Sequence, residues 1–425
     1  MDYDLKDEVD RGQGVKDDYL QVSPTRNIQG NSFPLGAQVY RWAVSENTFW
    51  HPRDSYFRIR VSLTQDDGIT PVVDADNVAL NMAFIAELYQ SLTFSINGVI
   101  VNRVPDFIAQ CDMLDKRSRF GADWLDGFGL SSGLYNPDFA YRQALTSSST
   151  PGSASILEFD WYVPLGIFNC GALPCGDYQL TMLPQTASAI QVRAVQVSPA
   201  AGATPYLFSV IDGYFMVRTS VYGSPIQSAQ YLLDMTQIVC QAETINPIGG
   251  IQQKQFEARE STKALVFALQ DQRAGTDPLY SASFFRLYEA PTIPNFSDEL
   301  LLNRLFIDYG GESKPSPDWT GGVSLVGGLV SNLTSQLYYA TYAQTGMIRP
   351  YMASPESKAA WQQRGSYYWF NWKKQPGNMS TRVYANAQMS APIPNNRALL
   401  FCVYSTVAQI TVNDNHTVEV RVLDV

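Results

Sequence analysis

The chain has 425 residues, of which 45% are apolar, 12% aromatic and only 16% charged, with a formal net charge of −10. Ordinary domains carry about 25% charged residues, and the acidic balance argues against a nucleic-acid binder with a broad basic face. The length suffices for two domains of about 200 residues, each with its own core.

Residues 1–30 are polar, acidic and poor in side chains worth burying, which predicts an arm that orders only against a partner. The first eight residues, Met-Asp-Tyr-Asp-Leu-Lys-Asp-Glu, have neither the basic nor the apolar region of a signal peptide, so the chain is expected to stay unsecreted. Residues 36–44 and 55–63 then alternate with period two. In the second run Phe57, Ile59, Val61 and Leu63 face one way and Arg58 and Arg60 the other, the pattern of a half-buried strand.

Leu92-Thr-Phe-Ser-Ile-Asn-Gly-Val-Ile-Val101 carries the strongest short-range hairpin signal, because Asn97-Gly98 accepts the positive φ of a type I′ turn. A two-residue loop sets Ile96 opposite Val99 and Phe94 opposite Val101, all on one buried face. A helix is expected next, with Pro105 in its first turn and Val104, Phe107, Ile108, Cys111 and Leu114 at helical spacing up to Gly121. Its basic cluster, Lys116-Arg117-Ser118-Arg119, reads as a solvated or salt-bridged helix end. Residues 122–155 form a long Gly-, Ser-, Thr-, Asn- and Pro-rich excursion, of a length that usually packs on a neighbour or projects outward. Strands are expected at 156–163, 177–183 and 191–197.

Ser198-Pro-Ala-Ala-Gly-Ala-Thr-Pro205 is the best domain boundary, dividing the chain into residues 31–203 and 204–425. The second part repeats the style of the first, with strands at 214–218, 263–269 and 304–308. Leu305-Phe-Ile-Asp-Tyr-Gly-Gly-Glu312 is a weaker copy of the strand-and-turn device about 210 residues earlier. Ser354, Pro355 and Gly365 mark a second short helix. Strands follow at 367–370, 382–389 and 399–407. A closing hairpin runs 409–412, turns at Asn413-Asp-Asn415 and returns through Val418, Val420 and Val422. The fold class that emerges is all-β, two antiparallel sandwiches in tandem with a few short helices in the loops.

Motifs of catalysis and ligation are sparse. The two histidines, His51 and His416, sit at a strand entrance and in a hairpin loop, without the spacing of a triad or a metal site. Glu158-Phe-Asp160 places two carboxylates on one face of a strand, as a β-sandwich glycosidase would need and as any solvated strand face would show. The five cysteines (Cys111, Cys170, Cys175, Cys240, Cys402) are odd in number and scattered. Cys170 and Cys175 lack the second pair that zinc requires, and reduced thiols are expected. Asn413-Asp414-Asn415 is too short for calcium. Gly321–Gly328 lacks the Lys-Ser/Thr ending of a phosphate loop, and the aromatic run Tyr367–Phe370 reads as core before it reads as a stacking platform. Sequons at Asn295, Asn332, Asn378 and Asn415 read as chance matches. No catalytic residue, cofactor or metal site is expected. Low charge fits either extensive subunit contact, since interface cores shed charge and gather aromatics, or a β-protein rich in Ser, Thr, Gln and Asn.

Taken in order, these features resemble the double jelly-roll major capsid proteins of tailless icosahedral DNA viruses, a lineage that includes tectivirus-like phages, polinton-like viruses, virophages and the large nucleocytoplasmic viruses. The matching segments are Trp42-Ala-Val with Ser55-Tyr-Phe-Arg-Ile, and Leu88 through Gly98 with the helix after it. Leu173-Pro-Cys-Gly-Asp-Tyr-Gln-Leu, the Leu305–Gly311 strand and turn, and Ala391-Pro-Ile-Pro-Asn-Asn-Arg-Ala-Leu-Leu-Phe401 complete the set. The resemblance spans roughly residues 35–425 and rests on element order and turn chemistry. It implies two jelly rolls per chain and a structural role in a virion. Homotrimers would form pseudo-hexameric capsomers that tile an icosahedral shell around a DNA genome. Neighbouring capsomers, penton and minor or cement proteins, and an inner membrane are the implied partners, with no sequence-specific nucleic-acid contact. Residues 122–155 and 310–350 would form outward towers. A penton, spike or minor capsid protein, and a carbohydrate-binding or glycoside-hydrolysing sandwich, remain the alternatives.

Overall fold

The computed structural model describes residues 16–25, 36–65, 78–79, 83–132, 155–185, 195–196, 206–221, 228–245, 250–259, 261–271, 302–320, 325–326, 329–330, 333–345, 357, 361, 367–372, 381–389, 396–414 and 417–423. The first ten strands are β1 (Lys16–Val22), β2 (Gln38–Val44), β3 (Thr48–Gln65), β4 (Val78–Ala79), β5 (Tyr89–Ile96), β6 (Val99–Val104), β7 (Ser155–Trp161), β8 (Gly176–Pro184), β9 (Val195–Gln196) and β10 (Tyr206–Val221). They form a sheet ordered β1-β10-β3-β7, a second ordered β2-β8-β5-β6, and the two-stranded pair β4-β9.

The remaining strands are β11 (Ala229–Ile245), β12 (Ile251–Glu257), β13 (Thr262–Asp271), β14 (Leu302–Tyr309), β15 (Glu312–Thr320), β16 (Leu325–Val326), β17 (Leu329–Val330), β18 (Tyr367–Asn371), β19 (Arg382–Met389), β20 (Asn396–Val412) and β21 (Val418–Leu423). Their sheets are β11-β20-β13-β18, with β21 also on β20, then β12-β19-β14-β15 and the pair β16-β17.

Counting only the eight longer strands of each half up to β20, the two halves are permuted identically. One sheet reads first–eighth–third–sixth and the other second–seventh–fourth–fifth, with all pairs antiparallel. Eight antiparallel strands in two such sheets make a jelly roll, and the chain contains two in tandem.

This pairing corrects the expected division of the chain. β10 lies between β1 and β3, so the first unit closes at Val221 and the Pro/Ala/Gly-rich stretch at 198–205 precedes the unit's last strand. Turn composition reports a reversal and cannot report which strand comes next to which. The acidic arm is likewise shorter than expected. Lys16–Val22 is the first strand, paired with β10 from Lys16↔Val221 to Val22↔Phe215. Its backbone finds partners although few of its side chains are buried, so composition hid it. Residues 1–15 and 26–30 lie outside the described residues.

The duplicated turn occupies the same place in both rolls, between the fourth and fifth strands. Asn97 and Gly98 have φ of 49° and 79°, and Gly310 and Gly311 of 65° and 83°, the left-handed pair that a type I′ turn demands. A bulge between Phe94 and Ser95 alters the expected register, setting Phe94 opposite Asn102 while Ile96 stays opposite Val99.

The core of the first roll is aromatic. Trp42 lies 5.0 Å from Trp50 and 5.2 Å from Phe215 across the sandwich, and Tyr89 stacks on Trp161 at 5.9 Å. The second roll fills its core mainly with smaller groups such as Leu265, Val266, Ile307, Val383, Ala385 and Leu400.

Between the fifth and sixth strands of each roll stands a helix. In the first it is Ile108–Arg119, three residues later than Pro105 suggests, because Val104 ends β6 and Phe107 (φ 54°) turns the chain. Helical spacing predicts one apolar face, yet Gln110, Asp112, Asp115, Lys116, Arg117 and Ser118 are buried as well. The helix is covered on one side by its own roll and on the other by β11 of the second. Apart from Arg117, its charges are paired within the helix. Lys116 Nζ lies 3.4 Å from Asp112 and 3.3 Å from Asp115, Arg119 bonds Asp115, and Trp161 Nε1 donates to Asp112 at 3.0 Å. Burial pushes Asp112 up to about 6, against the pull of Lys116. Asp115 is buried too, but Arg119 and Lys116 together hold it below the ordinary carboxylate range. In the second roll the equivalent helix is Leu333–Thr345, inside a segment expected to be loop. The helix expected at 354–365 falls outside the described residues except at Ser357 and Trp361.

The two rolls share one continuous buried core. They approach closely at Gly166, since a Cβ there would stand 2.2 Å from the carbonyl oxygen of Thr236 on β11. Around it, Gln237 Nε2 donates to Val101 O at 3.4 Å and Asn97 Nδ2 to Val418 O at 2.7 Å. Arg117 lies over the Tyr367 ring at 4.9 Å and donates to Trp361 O at 3.3 Å.

Two outcomes follow for stability. Gly166→Ala forces two backbones apart and is expected to cost about 1–3 kcal/mol, whereas Gly250→Ala, with nothing within 4 Å, should stay within about 0.5 kcal/mol; equal melting of both variants would remove the close approach from the account. For Asp112 the folded value lies above the unfolded one, so its contribution is full below pH 3.8 and is lost as pH rises to about 6. Urea unfolding across that window should lose this slope in Asp112→Asn, and an unchanged slope would contradict the assignment.

Candidate functional site

Glu158 and Asp160 sit on β7, one residue apart on the outer face of the β1-β10-β3-β7 sheet. The pairing places Arg58 opposite Asp160 and Arg60 opposite both Glu158 and Asp212. Arg58 grips Asp160 with two bonds of 2.6 and 2.8 Å and reaches Glu158 at 3.4 Å, while Arg60 lies 3.0 Å from Asp212 and 3.8 Å from Glu158. Opposite charges therefore face each other across three strands, where each pair adds to strand cohesion. A glycosidase needs two carboxyl groups flanking a sugar-sized gap. Here one guanidinium fills the space between them.

The other chemistry-bearing residues are also built into the fold. His51 Nε2 lies 2.6 Å from Ser220 Oγ across β3 and β10, but Ser220 is buried, which closes that hydroxyl to a substrate. His416 and Asn415 fall outside the described residues, and Asn413 serves the turn by bonding Thr417 through both backbone and side chain. The basic cluster is salt-bridged, and three of its four residues, Lys116, Arg117 and Ser118, are buried; it is not the solvated end that its composition allowed. Tyr367, Tyr368 and Phe370 are core residues and Trp369 is half-buried, so the run offers no open platform. Gly321–Gly328 is described only at Leu325–Val326, and the four sequon asparagines lie outside the described residues.

All five cysteines are free thiols, four of them buried. Burial pushes Cys402 up to about 12 and Cys111 and Cys240 well above the ordinary thiol range. Cys111 of the first roll stands close enough to Cys240 of the second to help raise its pKa, which puts both thiols at the seam between rolls. Among the described residues no three His, Cys, Asp or Glu side chains gather as a metal site would require, and no helix is long and apolar enough to cross a membrane.

What remains open to a partner are edges and outer faces. Tyr19 and Leu20 on β1, Ile100 on β6, Phe128, Leu232 on β11 and Ile251 on β12 are all exposed large apolar residues. Of the segments expected as towers, 310–320 holds a turn and β15, while 333–345 is a helix whose Tyr338 is buried against Trp361 and whose Tyr342 is buried against Tyr367. Residues 122–132 contain two short helices, and 133–154 lie outside the described residues. Sequence reading missed Gly166 and Arg117 as seam residues. Gly166 stands in no motif, and Arg117 stands in the basic cluster Lys116-Arg117-Ser118-Arg119, whose composition points to a solvated or salt-bridged helix end and not to a contact with the other roll.

No family model matches the sequence, and no curated protein is similar to it at the level of sequence. Solved structures are similar over nearly the whole chain. A chain of the Sputnik virophage matches with a TM-score of 0.58 and 10% identity, covering 97% of this chain and 89% of that one. The mavirus major capsid protein matches with a TM-score of 0.53 and 11% identity over 95% of this chain and 90% of its own. A chain of the PBCV-1 virus capsid matches with a TM-score of 0.52 and 9% identity over 97% of both. At such identities the likeness is one of fold, and it extends through both jelly rolls: the chain has the double jelly-roll architecture of these viral proteins.

Proposed function

We propose that this chain is the major capsid subunit of a tailless icosahedral DNA virus. The observation that carries the reading is the identical strand permutation of the two rolls within one chain, in a fold shared end to end with the mavirus major capsid protein. Two similar blocks fused side by side give a subunit with near-equivalent flanks. Three copies meeting through a head-to-tail contact close into a ring of six rolls, and six lobes tile a flat lattice with only three chains to fold. Capsomers then pave a shell around the genome, with penton and minor or cement proteins at the positions that six lobes cannot fill and with a membrane as an inner layer. The site of action is the virion, reached by assembly inside the host cell. The net charge of −10 fits a shell that encloses DNA without gripping it.

A penton, spike or minor capsid role is less well supported, because such proteins usually carry one roll. The enzyme reading loses its best candidate to the Arg58 clamp.

Purified protein should run as a trimer of 47.3 kDa chains that resists dilution. By electron microscopy it should show six-lobed blocks about 70–80 Å across; a persistent monomer, or five-fold rings, would defeat the proposal. Asp160→Asn should leave that assembly intact and cost about 1 kcal/mol or less, since both partners of the pair are about one-third exposed, with the loss shrinking in high salt. Glycan hydrolysis by the native chain that vanished in this variant would restore the enzyme.

A further inference from the structure

The hairpin turn that both rolls share is built differently in each, and the difference is one side chain. The second roll uses Gly310-Gly311 and the first uses Asn97-Gly98, with left-handed backbone at all four positions. Two glycines satisfy that backbone at no steric cost, so local conformation does not by itself explain an asparagine. Its amide does. Asn97 Oδ1 accepts the Asp177 N–H at 2.8 Å within its own roll, and Asn97 Nδ2 donates to Val418 O at 2.7 Å on β21 of the other. The side chain therefore clasps the closing hairpin of the second roll to the first.

Asn97-Gly98 is also the one Asn-Gly pair in the sequence. This pair is especially prone to spontaneous deamidation, because glycine leaves the attacking nitrogen unshielded. Both residues are exposed, and a Cβ placed on Gly98 would find nothing within 4 Å. In the reaction the Gly98 backbone nitrogen forms a bond to Asn97 Cγ and loses its proton, while Nδ2 leaves as ammonia. Water then opens the five-membered succinimide, at the side-chain carbonyl to give aspartate or at the backbone carbonyl to give isoaspartate. For the ring to close, the amide must swing off its partners and fold back on its own backbone. While β21 is docked, the clasp opposes that swing.

We propose that Asn97-Gly98 is a self-modification site guarded by the seam between the rolls. The guard is weakest at β21, which pairs with β20 alone and whose end residues Val422 and Leu423 are 38% and 37% exposed. A strand with so little cover opens more readily than the core, and each opening releases Nδ2. The product cannot restore the clasp. An oxygen stands where Nδ2 donated and faces the Val418 carbonyl, acceptor against acceptor, and isoaspartate adds a backbone carbon to a two-residue turn. Transient opening becomes a permanent loosening of β21. The Gly310-Gly311 turn carries no amide and is immune.

The test is incubation of the full chain in mildly alkaline buffer, with aspartate and isoaspartate at position 97 followed by peptide mapping. The native chain should modify at least about 10-fold more slowly than the chain unfolded in urea. Val420→Ala, which trims a side chain packing β21 on the core, should modify about 5-fold faster than native. Equal rates in native and unfolded chains, or a folded Val420→Ala variant no faster than native, would remove the guard. Absence of product at position 97 even in urea would remove the site. Should Val420→Ala not fold, hydrogen exchange over Val418–Leu423 decides. Asn97→Asp, the product of the reaction, should speed exchange there about 5-fold or more. Asn97→Gly, which keeps the turn as Gly310 does, should speed it less. Exchange in Asn97→Asp that matches native would overturn the clasp.

Discussion

The rest of the molecule depends on the approach of β11 to the turn at Gly166. Two backbones meet there with no room for a side chain, and that proximity brings the two rolls into one core. Because the rolls touch at backbone distance, the helix Ile108–Arg119 is shut in from both sides, and Asp112, Asp115, Lys116 and Arg117 are buried while Arg119 at its end stays exposed. Desolvating a charge is costly unless a partner is at hand. Asp112, Asp115, Lys116 and Arg119 supply that partnership among themselves, and Arg117 finds the Tyr367 ring and the Trp361 carbonyl of the other roll. Breaking one such partner leaves a buried charge uncompensated, so the ionic cluster makes the seam intolerant of partial opening.

The same strand order is realised with different materials in the two rolls. Large rings such as Trp42, Trp50, Tyr89, Trp161 and Phe215 fill the first, with edge and stacked contacts that are direction-dependent. The second relies mainly on aliphatic side chains, and one group of its rings joins Tyr338 and Tyr342 of the Leu333–Thr345 helix to Trp361 and Tyr367. The architecture belongs to the topology and not to any one core composition. This accounts for structural neighbours that match over nearly the whole chain at 9–11% identity.

Charge in this protein is spent on cohesion. The outer face of the first sheet carries Arg58, Arg60, Glu158, Asp160 and Asp212 as an interlocking ladder, and Arg218 lies 2.6 Å from Asp54 nearby. A strand face that looks in sequence like a pair of catalytic carboxylates is, in three dimensions, a set of cross-strand rivets. The difference lies on the neighbouring strand, because Arg58 and Asp160 are separated by 102 positions in the chain.

Much of the architecture is legible in the order of the amino acids. Period-two alternation marks β3, β8 and β19, and Asn97-Gly98 with Gly310-Gly311 locates the same hairpin in both rolls, because local backbone sterics alone demand a positive φ there. Polar strands escape: β1, most of β11 and β12 bury few apolar side chains, and what holds them is hydrogen bonding to β10, β20 and β19. Alternation cannot reveal a strand stabilised by its neighbour's edge. The boundary was displaced for a related reason, since only pairing shows that β10 returns to the first roll. Gly166 and the buried helix charges belong wholly to tertiary structure. A glycine is required by what stands opposite it and a buried lysine by the carboxylates around it, and neither neighbour is adjacent in sequence. Sequence by itself determined the local conformations and the duplication; the three-dimensional packing decided which edges were covered and which were left bare.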